Sequence, residues 1–153
     1  MRYRNRYRIP SARLPEHDYA APGLYFVTCC THHRAPVFGT LENHAGVRLS
    51  RLGHVAASVW HRIPWVYPTV SLEALVVMPD HVHALLHLHG QDISVSDIVR
   101  QSKRATTRAA RDWGWTGALW QARFHDRLVR DEREAEAVRR YIARNPFRHA
   151  APP

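Results

Sequence analysis

The run V-S-L-E-A-L-V-V-M-P-D-H-V-H-A-L-L-H-L-H, residues 70 to 89, constrains the architecture of this chain more than any other stretch. Two segments rich in apolar and β-branched residues flank Pro79-Asp80, a turn signal that reverses the chain, so residues 70 to 78 and 81 to 88 read as adjacent strands. In a strand, residues of equal parity share a face. Val82, Ala84, Leu86 and Leu88 therefore make a core face, while His81, His83, Leu85, His87 and His89 look the other way. A face that carries four histidines is either polar and accessible or turned toward another functional element.

The remaining elements follow from periodicity and punctuation. L-Y-F-V-T-C-C-T, residues 24 to 31, is a strand bounded by Pro22-Gly23 and Pro36. From Leu41 to Arg62, Val47, Leu49, Leu52, Val55, Ala56, Val59 and Trp60 keep helical spacing up to Pro64 and predict one helix. A second helix spans 94 to 112, opened by Ser94 or Ser96 as cap, with Val95, Ile98, Val99, Ser102, Ala105 and Ala109 inward. On its other side Arg100, Arg104, Arg108 and Arg111 form one stripe. A Trp- and Gly-rich connection leads to R-F-H-D-R-L-V-R, a fourth strand, and a last helix from Glu132 stops near Arg144, before Asn145-Pro146. The order β-α-β-β-α-β plus a helix predicts an α+β, ferredoxin-like antiparallel sheet with an additional C-terminal helix that carries Tyr141.

Composition narrows the partner. The 153 residues suit a single domain, with 1–23 as a basic arm and 24–148 as the folded unit. The balance of 22 basic to 13 acidic residues, a formal charge of +9, points to a polyanion, with nucleic acid foremost. Lys103 is the sole lysine, and arginine suits bidentate phosphate contacts, although a codon bias toward arginine accounts for its excess equally well. In the arm, Arg2, Arg4, Arg6 and Arg8 interleave with Tyr3 and Tyr7; the segment fits either a solvated tail or a clamp that pairs phosphates and stacks bases. Cys29 and Cys30 are adjacent, which disfavours a disulfide, and read as buried thiols of a reducing compartment. Without an apolar leader or an 18-residue apolar run, the expectation is a cytoplasmic, nucleoid-associated protein.

Two places carry chemistry. Residues two apart on a strand lie roughly 6.5 Å apart, so the imidazoles of His81 and His83 can converge on one ion, whereas His87 and His89 lie roughly 13 to 26 Å further along. By itself H-x-H is a weak signal. On the last helix Tyr141 and Asn145 are four apart and share a face. They fit a nucleophile and a third metal ligand, but on this helix alone a packing residue and a helix cap account for them more readily.

Together, M-P-D-H-V-H and the distant Y-I-A-R-N-P resemble the HUH single-strand endonucleases, in particular the REP-associated tyrosine transposases related to single-tyrosine insertion-sequence transposases. Y-F-V-T-C-C-T-H-H-R-A-P-V-F, the segment Gln101 to Lys103, and L-W-Q-A-R-F-H-D-R-L-V-R extend the resemblance over residues 20 to 148. Asp80 departs from the family's M-P-N-H, adding a carboxylate beside the histidines, and the chain ends soon after Pro146.

The resemblance implies that His81, His83 and Asn145 hold one Mg²⁺ or Mn²⁺. It implies that Tyr141 attacks single-stranded DNA next to a hairpin of REP-like type, leaving a 5′-phosphotyrosine and a 3′-hydroxyl, with the protein acting as a monomer rather than a homodimer. Lys103 and the arginine stripe are then expected on the DNA backbone, and the arm on the hairpin or its unpaired flank. His125 and Asp126 fit either a supporting role or a plain strand end. Two other functions fit the same residues: a binding module that no longer cuts, and a zinc hydrolase using water.

Overall fold

The computed structural model describes residues 20–43 and 45–150, with side chains to residue 147. Arg2, Arg4, Arg6 and Arg8 lie outside the described residues. The main sheet is built from β1 (Gly23–Cys30), β4 (Val70–Met78), β5 (His81–Leu88) and β6 (His125–Val129). Its order is β4-β5-β1-β6 with every pair antiparallel. β1 and β4 are thus a split pair with β5 between them, as in the ferredoxin-like arrangement. Pro79-Asp80 makes the turn, since Met78 pairs with His81 across it.

The sheet separates two apolar layers. On one side Tyr25, Val27, Val82, Ala84, Leu86 and Leu88 pack against α1 (Arg51–His61) and α3 (Val95–Asp112), contributed through Leu52, Ala56, Trp60, Val95, Ile98 and Val99. A single turn, α2 (Ile63–Val66), follows α1 with Pro64 near its start, where a missing N–H costs nothing. On the other side Leu85 and Val129 meet Ala135, Val138 and Ile142 of α4 (Glu132–Ala150). The histidine face of β5 therefore looks at the C-terminal helix.

Three expectations need correction. Leu41 to Leu49 is not helical: β2 (Gly39–Glu42) and β3 (Gly46–Leu49) form a separate hairpin, and α1 starts only at Arg51. Gly46, at φ 85°, turns the hairpin, and Ser50 caps α1 by accepting from Gly53 N–H at 3.0 Å. A side chain on Gly53 would collide with the Phe38 carbonyl, so the helix start is fitted to the segment that leads into β2. In α3 the buried positions after Ser102 are Thr106 and Ala110, one residue past Ala105 and Ala109. The Thr106 hydroxyl donates to the Ser102 carbonyl at 2.9 Å, which lets a polar residue enter the core. Finally, α4 runs through Pro146 to Ala150. Proline inside a helix costs about 3 kcal/mol. Packing of these last turns against the β2–β3 hairpin opposes that cost.

Among the described residues no helix is long and apolar enough to cross a membrane.

Candidate active site

β5 presents His81 and His83 at its start, 6% and 2% exposed, with ring centroids 4.6 Å apart. Each ring has its Nδ1 engaged. His81 Nδ1 lies 2.7 Å from Asp80 Oδ1, and His83 Nδ1 lies 2.8 Å from Thr28 Oγ1. A carboxylate only accepts, so His81 carries its proton on Nδ1 and offers Nε2; Thr28 permits the same for His83. Thr28 reaches His83 because β1 pairs Thr28 directly opposite it. The sequence fragment M-P-D-H-V-H gives no hint of this, since the partner lies 55 residues away and depends on strand register.

Asp80 is held from its other side. Arg34 Nε donates to Asp80 Oδ2 at 3.1 Å, while Arg34 Nη2 stands 3.4 Å from His81 Nδ1. The 2.7 Å contact decides the proton on Nδ1, so the longer one is proximity rather than a hydrogen bond. Burial alone would raise the Asp80 pKa, but hydrogen bonds from His81 and Arg34 prevail and hold the carboxyl down to about 2. Arg34 arrives from a 3-10 turn, His32–Arg34, in which His33 and Arg34 take φ of 55° and 54°. Such left-handed backbone costs a non-glycine residue roughly 1 kcal/mol or more.

α4 completes the arrangement. Ala135, Val138, Ile142 and Asn145 follow one another at helical spacing and are 0%, 4%, 2% and 0% exposed. Asn145 thus continues an apolar stripe into the sheet, and neither its Oδ1 nor its Nδ2 has a hydrogen-bond partner among the described residues. A buried amide left so costs about 1–3 kcal/mol unless something else engages it. One turn earlier, the Tyr141 ring stands 5.4 Å from His83 at 69°, and 6.1 Å from Phe26. Phe26 in turn lies 5.3 Å from His83, so it wedges phenol and imidazole together.

Among the described residues no three His, Cys, Asp or Glu side chains gather around one point. Two imidazoles with Nε2 to offer and a buried amide oxygen nonetheless suit a small divalent cation that keeps open positions for other oxygen ligands.

The other expected residues are elsewhere. Arg100, Arg104, Arg108 and Arg111 are all exposed on α3, across the sheet from α4, so they do not converge on the histidines. Arg100 pairs with Asp97 at 2.9 Å and Arg111 donates to the Gly117 carbonyl at 3.2 Å. The Lys103 ammonium donates to the carbonyls of Gln121 at 2.8 Å and Arg123 at 3.1 Å, pinning the loop before β6, and burial lowers its pKa. His87 and His89 stack at 4.0 Å at the far end of β5, near Glu73 and Ser71. His125 pairs with Thr28 and so shares the face of His83; Asp126 pairs with Val27 and is buried on the opposite face.

Residues 66–145 match the model of a transposase family described as IS200-like. A Haemophilus influenzae protein described as a REP-associated tyrosine transposase is 25% identical over 142 residues, covering 86% of this chain and 74% of its own. An uncharacterised protein of that species is 27% identical over 158 residues, covering 90% of this chain and 87% of its own. Among solved structures, a REP-associated tyrosine transposase bound to a REP hairpin has the same fold, with a TM-score of 0.64 at 24% identity over 89% of this chain and 73% of that one. A Deinococcus radiodurans protein shares it at a TM-score of 0.55 and 20% identity, over 92% of this chain and 99% of that one. Since the matched region spans more than half of the chain and takes in His81, His83, Tyr141 and Asn145, this protein belongs to the IS200-like transposases, enzymes that cut and rejoin DNA.

Proposed function

We propose that the chain cuts and rejoins single-stranded DNA beside a hairpin of REP-like type, with Tyr141 as nucleophile and His81, His83 and Asn145 as ligands of Mg²⁺ or Mn²⁺. The observation that carries this reading is the buried amide of Asn145, without a hydrogen-bond partner among the described residues, one turn from a phenol packed on His83. A divalent cation held by His81, His83 and Asn145 would supply positive charge to the scissile phosphate. Asp80 keeps His81 in the tautomer that a cation requires, and Thr28 is able to accept from His83 Nδ1 in the same tautomer. Phe26 limits the swing of the Tyr141 ring, so the phenol is oriented before DNA arrives.

Tyr141 gives up its phenolic proton and forms an O–P bond, the bond from phosphorus to the 3′-oxygen breaks, and that oxygen leaves as a 3′-hydroxyl after taking a proton. One phosphodiester replaces another, so the step is reversible and the same site can join a new 3′-hydroxyl. The exposed arginines of α3 serve the flanking duplex or strand rather than the scissile phosphate, in keeping with their position across the sheet. Lys103 assists the same surface by holding the 121–123 backbone, with one ammonium N–H beyond the two it uses there. Arg2, Arg4, Arg6 and Arg8 of the arm serve the hairpin. The H. influenzae relative and the hairpin-bound neighbour support this choice of substrate. We assign the protein to the cytoplasm, near the nucleoid, acting as a monomer.

A denaturing gel with labelled hairpin DNA tests the reading. The expected result is a covalent protein–DNA adduct that requires Mg²⁺ or Mn²⁺ and vanishes in Tyr141→Phe. Cleavage persisting in that variant indicates a hydrolase instead, and binding without cleavage indicates a module that only holds DNA.

A further inference from the structure

The strained turn before β2 has no explanation in the fold alone. His33 and Arg34 both adopt positive φ, a conformation that glycine takes without penalty, yet the chain places a histidine and an arginine there. The turn is pinned from several sides. Thr31 N–H and Phe38 N–H donate to the carbonyls of Asp80 and Pro79, both at 3.0 Å, His32 N–H donates to Leu119 at 2.9 Å, and the Thr31 hydroxyl donates to Ala35 at 2.8 Å. The β4–β5 turn and the 31–38 turn are therefore one fastened unit. Its side-chain product is the row Arg34 Nε to Asp80 Oδ2 at 3.1 Å, then Asp80 Oδ1 to His81 Nδ1 at 2.7 Å. Strain maintained by surrounding bonds and ending on a candidate ligand marks a functional position.

We propose that Arg34 is a positioning residue of the cation site. By taking one oxygen of Asp80 it fixes the carboxylate plane, so that the other oxygen meets the His81 N–H and turns Nε2 toward the cation. Its positive charge also offsets Asp80 beside the path of an incoming phosphodiester. The side chain acts through Asp80 and needs no contact with the cation itself. The inference rests on the reading of His81 as a ligand, and its test separates the two.

Mn²⁺ binding to the DNA-free protein is titrated by calorimetry for the parent, Arg34→Gly, Asp80→Ala, the double variant and His81→Ala, with thermal melting in parallel. Arg34→Gly is expected to melt at or above the parent temperature, because glycine relieves the backbone, while Mn²⁺ affinity falls by about tenfold or more. Asp80→Ala is expected to weaken binding comparably, and the double variant no further than the weaker single, because the two side chains act as one device. His81→Ala is expected to abolish binding. Parent-like Mn²⁺ affinity in Arg34→Gly, or losses that multiply in the double variant, overturns the inference while leaving the site intact. A lowered melting temperature with unchanged Mn²⁺ affinity overturns it in favour of a structural role. Undiminished binding in His81→Ala removes the ligand reading and the inference together.

Discussion

Asn145 occupies a place that its helix neighbours fill with hydrocarbon or a methyl group. Its amide has no partner among the described residues, so stability has been given up at this position. Asn145→Leu is expected to stabilise the fold by about 1–3 kcal/mol in denaturant unfolding, by removing an unsatisfied buried amide, and to abolish adduct formation. Destabilisation would mean that the amide serves the fold. Thr28→Val keeps the shape but removes the hydroxyl that faces His83 Nδ1, and is expected to reduce Mn²⁺ affinity by about 10–100-fold in the same titration. Cys29 sits at the opposite extreme, buried in the apolar core on the α1–α3 side, and burial pushes its thiol from 9.0 up to about 12. Between those values the unfolded chain loses the proton first, so stability falls as pH rises from about 9 to about 12. Cys29→Ala should flatten that part of a stability–pH profile. Of these residues the sequence singled out Asn145 as a candidate, through its spacing from Tyr141 together with the family resemblance, whereas Thr28 and Arg34 carry no signal without the strand pairing and turn that bring them in.

At the scale of elements, α4 is the piece on which everything turns. Asp131 accepts from Glu134 N–H at 2.8 Å to start it, and Arg139 ties it to the sheet through Glu73 at 3.3 Å while also meeting Glu132 and Glu136. These ion pairs are exposed and worth at most about 1 kcal/mol, so the helix is seated chiefly by Ala135, Val138 and Ile142. Val138→Ala is expected to cost about 1–2.5 kcal/mol in unfolding and, by loosening the seat of Tyr141, to lower kcat more than DNA affinity. Equal stability would show that the helix is held otherwise. The strands around Pro79-Asp80 could be read from two apolar, β-branched runs on either side of a turn signal, although β5 proves buried on both faces. The β2–β3 hairpin could not, because Val47, Leu49 and Leu52 satisfy helical spacing by accident while Gly46 alone marks the turn. The end of α4 was equally hidden: Pro146 is a local stop signal, and only packing against the hairpin overrides it.

Across the whole molecule, the arginine stripe of α3 and the candidate site lie on opposite sides of the sheet. The arginines of α3 stand across the sheet from Tyr141, so they are expected to set affinity rather than the rate of the chemical step. Replacing Arg104 and Arg108 by alanine should reduce the slope of log affinity against log salt by roughly 0.7 to 0.9 for each phosphate no longer neutralised, with little change in single-turnover cleavage at saturating protein. The net charge of +9 pointed to a polyanion, and the order of strands to the sheet, but neither reveals which face carries the candidate site. That follows from where α4 lies, a tertiary fact that helix periodicity alone does not contain. The most direct test of the convergence between α4 and β5 is mass spectrometry of the protein after reaction with hairpin DNA and Mn²⁺, digestion with nuclease and cleavage at arginine. A nucleotide remnant on the peptide Tyr141–Arg144, esterified to the phenol, is the expected result. A remnant on any other residue, or cleaved DNA with no remnant on the protein, would contradict it.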